Sequence, residues 1–125
     1  MKIVVLDDNL AIGEMLQQGL ELAGHSVVVY CSPSTFFADI KVAEPKTALA
    51  PFDLILVDLL LSEGTSGVEV IHRVSNIFPD LPVILISAAS SWAIAGARRA
   101  LPTVRVLQKP FRIATLLAML KELSM

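Results

Sequence analysis

The sequence has one cysteine, Cys31, so no internal disulfide can form. It has two histidines, His25 and His72, and neither has a partner at ligand spacing. A zinc site is therefore not indicated, and both read as ordinary surface or turn residues. Cys31 is expected to be a buried small hydrophobe. No apolar run approaches the roughly 20 residues needed to span a bilayer. No secretory leader is evident, because Met1-Lys2 runs straight into a short apolar stretch ending in aspartates. Net charge is small, −2 at pH 7, which argues against a nucleic-acid or polyanionic partner. Repeats, low-complexity tracts and linkers are missing too. What remains is one domain over residues 1–125, long enough for a real core, with a reducing cytoplasm as the simplest compartment and no membrane attachment.

What is abundant is apolar side chain, 54% of the chain, which is high for a globular domain and suits a sheet covered on both sides. The central stretch is Pro51-Phe52-Asp53-Leu54-Ile55-Leu56-Val57-Asp58-Leu59-Leu60-Leu61. Its unbroken run Leu54 to Val57 reads as a strand buried on both faces, ending in Asp58. Leu59 to Leu61 follow, so the surroundings of Asp58 are expected to be largely apolar. A carboxylate there is costly unless it is paired or holds a metal.

The other strands have the same character: Lys2 to Leu6, Val27 to Tyr30, Pro82 to Ile86 and Val104 to Leu107. Helices are predicted between them. Leu10 to Ala23 carries Ile12, Met15, Leu16, Leu20 and Ala23 on one face, with Gly24 as its stop. Ser32-Pro33 caps a helix bearing Phe36, Phe37 and Ile40. Residues 42–51 read as a helix end and a longish loop. Val68 to Phe78 turns Val70, Ile71, Val74 and Phe78 inward and stops at Pro79. A helix over about Ser91 to Ala100 stops at Pro102. After Phe111, Ile113, Leu116, Leu117, Leu120 and Leu123 mark the last helix. Strands and helices alternate five times, which implies an α/β fold, a parallel sheet with helices on both faces.

Four strand ends carry polar groups: Asp7 and Asp8, then Asp58, Ser87 and Lys109. In a parallel sheet these ends gather at one edge. Two carboxylates at about 4 Å repel by roughly 4 kcal/mol at an effective dielectric near 20. Such a cluster calls for a cation or for protonation. Hard oxygen ligands beside one lysine suit magnesium, and a metal, a carboxylate, a hydroxyl and an ammonium together suit phosphoryl transfer. The plain alternatives are a helix cap for Asp7-Asp8, a strand-end hydroxyl for Ser87 and a surface lysine for Lys109.

On Asp7-Asp8, Asp58, Ser87 and Lys109-Pro110-Phe111, in that order and over essentially the whole chain, the sequence resembles the receiver domain of two-component response regulators. The resemblance implies the doubly wound, flavodoxin-like order 2-1-3-4-5. It also implies transfer of phosphate from a histidine kinase or histidine phosphotransfer protein to an aspartate. Asp58 matches the acceptor, Asp8 a direct Mg2+ ligand, Asp7 an indirect one, and the Leu60 backbone carbonyl a further ligand. Lys109 matches the phosphate counter-charge, on a Lys-Pro bond that is cis in the family, and Ser87 the hydroxyl that turns to the phosphoryl group. The chain departs from the common pattern in several places. Ser62 replaces a proline, and one residue is added before Gly67. Leu60 and Ala89 stand where side chains tune phosphate loss. Val106 replaces the Tyr or Phe that swings inward in many members.

Arg98, Arg99, Arg105, Lys109 and Arg112 make a basic stretch. It reads as a solvated face, or as a docking surface on the fourth helix, fifth strand and fifth helix for a homodimer or effector. Trp92 is either packed or part of a patch with Ile94. Val106 and the altered loop also admit a degenerate receiver, a phosphorylation-independent interaction module. An enzyme is disfavoured. A flavin protein lacks its phosphate loop after the first strand, and a phosphatase wants a carboxylate two residues beyond its nucleophile, where Leu60 stands. Neither turnover chemistry nor direct nucleic-acid binding is expected.

Overall fold

The computed structural model describes residues 1–40, 51–61, 66–88, 91–101 and 104–123. In chain order these form β1 (Lys2–Leu6), α1 (Leu10–Leu22), β2 (Ser26–Tyr30), α2 (Pro33–Ile40), β3 (Leu54–Asp58), α3 (Gly67–Ile77), β4 (Val83–Ser87), α4 (Ser91–Ala100), β5 (Arg105–Gln108) and α5 (Ile113–Leu123). The strands pair in parallel in the order β2-β1-β3-β4-β5. Each predicted strand and helix is present, with ends shifted by one or two residues. Among the described residues no helix is long and apolar enough to cross a membrane.

β3 is central because all five of its residues are buried, with apolar side chains directed to both faces. Alternation along the strands sorts the core into two layers. Val4, Leu6, Ile55, Val57 and Leu85 pack under α2, α3 and α4. Ile3, Val5, Leu54, Leu56, Ile84, Ile86 and Leu107 pack under α1 and α5. A fully buried aliphatic side chain contributes about 1.5–3 kcal/mol, so Val70, Ile71 and Val74 hold α3 firmly to the sheet. A charge at Val74 would abolish that docking.

Helix starts follow local chemistry. Asn9 caps α1, its side-chain oxygen accepting from Ala11 N at 3.0 Å and Ile12 N at 3.3 Å. The cap is thus Asn9 and not the Asp7-Asp8 pair. Ser32 accepts from Thr35 N at 3.3 Å, ahead of Pro33 at the first position of α2. Gly24 ends α1 at φ 96°, a conformation that favours glycine.

Five burial expectations are corrected. Met15 is exposed, because the buried stripe of α1 runs through Gly13, Leu16 and Leu20 and Met15 lies about a quarter-turn away. Ala23 is exposed because it follows the last helical residue. Cys31 is exposed just past the end of β2. Trp92 and Ile94 form no joint patch, since Ile94 is buried under α4 while Trp92 is 81% exposed. Leu60 is 61% exposed, so the apolar surroundings of Asp58 come from Leu59 and the strands and not from Leu60. Ser62 and Ala89 lie outside the described residues, as does most of the predicted 42–51 loop.

Candidate functional site

Parallel register brings the ends of β1, β3, β4 and β5 to one edge: Leu6 pairs with Val57, Asp58 with Ile86, and Ser87 with Gln108. Asp7 follows β1 and is fully buried, while Asp8 faces solvent. Asp58, the last residue of β3, is 6% exposed. One carboxylate oxygen from each of Asp7, Asp8 and Asp58 lies within 4.8 Å of the others.

Lys109 joins them. Its ammonium donates to Asp7 Oδ2 at 2.9 Å and to Asp58 Oδ2 at 3.1 Å. Its own N–H donates to the Ser87 carbonyl at 2.7 Å, which fixes the start of the side chain on the end of β4. The Lys109–Pro110 peptide is cis. The remaining oxygens of the two buried acids are also engaged: Asn9 N–H donates to Asp7 Oδ1 at 2.9 Å, and Leu60 N–H to Asp58 Oδ1 at 3.1 Å. Ser87 is buried at the same edge.

Burial, and then the charge of Asp7, push the Asp58 carboxyl above the usual aspartate range, against the opposing pull of Leu60 N–H and Lys109. Burial alone would weaken the Lys109 ammonium, but Asp7 and Asp58 outweigh it and hold Lys109 protonated beyond its ordinary value. Three carboxylates against one ammonium leave a formal excess of negative charge. That excess and the all-oxygen donor set fit a hard divalent cation. Asp8, exposed beside the two buried acids, is the most accessible of the three to an arriving ion.

The structure thus brings together Asp7, Asp8, Asp58 and Lys109, with Ser87 and the Leu60 backbone at the same edge. His25 sits in the turn after α1 and His72 is exposed on α3. Two participants escaped the sequence reading. Asn9 holds Asp7 through its N–H, a role signalled by an asparagine directly before the first residue of a helix. Gly67, noted only as a loop glycine, lies against the Asp58 backbone.

A parallel sheet of this order, with acidic strand ends bridged by a lysine, defines a doubly wound fold with a cation-fitting edge. The family model for the response regulator receiver domain matches residues 3–121. The chain belongs to that family, whose members carry phosphoacceptor signals between histidine kinases and effectors. It is 29% identical over 115 residues to the response regulator receiver protein CpdR of Brucella abortus, covering 92% of this chain and 89% of that protein. It is 29% identical over 120 residues to the DNA-binding transcriptional regulator NtrC of Azospirillum brasilense, covering 96% of this chain but 23% of NtrC. It is similar in fold to the chemotaxis protein CheY4 of Vibrio cholerae, with TM-score 0.79, 24% identity and coverage of 97% and 96%.

Proposed function

We propose that residues 1–125 form one receiver domain in which Asp58 accepts a phosphoryl group from a phosphohistidine, on a histidine kinase or a histidine phosphotransfer protein. The observation that carries this reading is the Lys109 ammonium bridging Asp7 and Asp58 while Asp8 stays exposed beside them. In the transfer, an Asp58 carboxylate oxygen attacks phosphorus, an O–P bond forms, the N–P bond breaks and the imidazole takes the electron pair. Asp58 must be ionised to attack, and Lys109 and Leu60 N–H both favour that form. Lys109 offsets charge on the arriving phosphoryl oxygens, and the Ser87 hydroxyl offers a donor to them. Asp8, Asp58 and the Leu60 carbonyl would hold Mg2+, with Asp7 acting indirectly; bound there, the ion neutralises phosphoryl charge.

The test is intact mass after incubation with magnesium and phosphoramidate. One phosphoryl group should appear, and Asp58→Asn should abolish it with the fold retained. Phosphate on another residue would sink the assignment. Val106, a partly buried valine where many members carry an aromatic, favours a second reading, the phosphorylation-independent interaction module. That reading predicts no mass gain at all. The exposed Arg98, Arg99 and Arg112 support a homodimer or effector surface on α4, β5 and α5. A cytoplasmic place, the absence of turnover chemistry and the absence of direct nucleic-acid or membrane binding complete the proposal.

A further inference from the structure

We propose that Gly67 is a positioning residue for the acceptor, a role that rests on the reading of Asp58 given above. Gly67 is the buried first residue of α3 and follows the helix cap Ser66. Its N–H donates to the Leu59 carbonyl at 2.8 Å, and Ser66 bridges Leu60 in antiparallel sense. The start of α3 is therefore fastened to the backbone just beyond Asp58. An added Cβ at Gly67 would overlap the Asp58 carbonyl oxygen, and would stand 2.9 Å from Leu59 Cα and 3.0 Å from the Asp58 carbonyl carbon. Every one of these atoms is main chain, so no rotamer change makes room.

Something must move, and packing decides what. α3 is held by Val70, Ile71 and Val74, and β3 by β1 and β4 on either side. Leu59 N–H still donates to the Ile86 carbonyl at 2.8 Å, but Leu60 lies past the ladder and is exposed. The Asp58–Leu59 peptide, which carries the overlapping atoms, is pushed aside, and the less restrained turn at Leu59–Leu60 is displaced with it. Two groups of the site travel with it: the Leu60 N–H on Asp58 Oδ1 and the Leu60 carbonyl. Contact between α3 and the acceptor peptide thus sets the direction of the Asp58 carboxylate. A side chain at position 67 misplaces the carboxylate while leaving the layers packed.

The experiment compares Gly67→Ala with Val74→Ala, a core truncation on the same helix that does not touch the acceptor. Phosphorylation by phosphoramidate in magnesium is followed by intact mass, and the Leu60 amide by NMR. Gly67→Ala should slow phosphorylation at saturating donor about 10–100-fold, since misplacement by about 1 Å can cost that much, and should shift the Leu60 amide. Val74→Ala should lower stability with little change in either. Equal rates in the two variants, with a wild type that is phosphorylated, would overturn the role of Gly67 alone. A wild type that takes no phosphate would overturn the acceptor reading and Gly67's role with it. Should Gly67→Ala fail to fold, hydrogen exchange on the wild type decides. Protection of the Gly67 amide comparable to β3 supports the fastening, and exchange at a free-loop rate overturns it.

Discussion

The helical layer over α2, α3 and α4 is built from two materials. Around α2 and the end of α3 the aliphatic core includes a chain of aromatic rings. Phe36 meets Tyr30, Phe37 and Phe52 edge-on at 5.4, 5.0 and 6.1 Å between ring centroids, and Phe52 meets Phe78 at 6.0 Å. Arg73 of α3 lies over the Phe37 ring of α2 at 3.6 Å, tying the two helices together. Under α4 the packing is aliphatic and thinner: Ile94, Ala97 and Leu101 are buried, with Ala93, Val104 and Val106 partly so. Interlocked rings resist displacement, because moving one disturbs all its partners. A helix seated on alanine and valine can slide at smaller cost. Asp58 touches the start of α3 through Gly67, and its strand pairs with β4, which leads into α4.

The largest expected effect would come from the stiff half. Phe36→Ala should cost about 3–5 kcal/mol of unfolding free energy, against about 2 kcal/mol for Ile94→Ala. Urea denaturation gives both values, and equal costs would break the comparison. Next in size is the response to activation. With magnesium and beryllofluoride, hydrogen exchange should change over α4 and β5 while α2 stays as it was. A change of similar size in α2 would show that the aromatic half also moves.

A smaller effect concerns the seam. The Asp58 carboxyl is raised by burial and by Asp7, so the folded state holds its proton to higher pH than the unfolded chain does. Stability is therefore lost as pH rises from the ordinary aspartate value through the raised one. Asp58→Asn should melt above the wild type at pH 7, with the gap closing in acid. A gap that widens in acid would reverse the sign. Smallest is the surface pair of Arg105 on β5 and Glu122 on α5, whose side chains are 42% and 59% exposed. Arg105→Ala should change stability by about 0.5 kcal/mol, and less in high salt. A larger loss would mean that the soft half is anchored more firmly from β5 than its core suggests.

Much of this was legible in the sequence, and the reasons differ by element. Uninterrupted runs such as Leu54 to Val57 announce buried parallel strands, because only a strand covered on both faces lacks alternation. The chemistry of Asp7, Asp8, Asp58 and Lys109 could be assembled because strand ends converge in such a sheet. What could not be read depends on angles and reach. Met15 and Leu16 are adjacent in sequence yet lie a quarter-turn apart, and only one of them meets the core. Cys31 and Leu60 sit just beyond strand ends, where the chain turns toward solvent. The contact of Gly67 with the Asp58 peptide joins residues separated by a loop, and no local pattern encodes it. Trp92 would pass for a core residue by composition alone, and it faces outward.

The two margins of the sheet are unequally guarded. β5 closes one side with Arg105 paired to Glu122, a charged rim that discourages another strand from adding there. β2 closes the other with Ser26-Val27-Val28-Val29-Tyr30, a segment with no charge, in which Val28 is 53% exposed. Three consecutive valines beside a tyrosine have the composition of a self-associating strand. Loss of order on that side would present a template for chain-to-chain pairing, which β2 held in the sheet keeps back. A lysine in place of Val28 would set a charge on that edge.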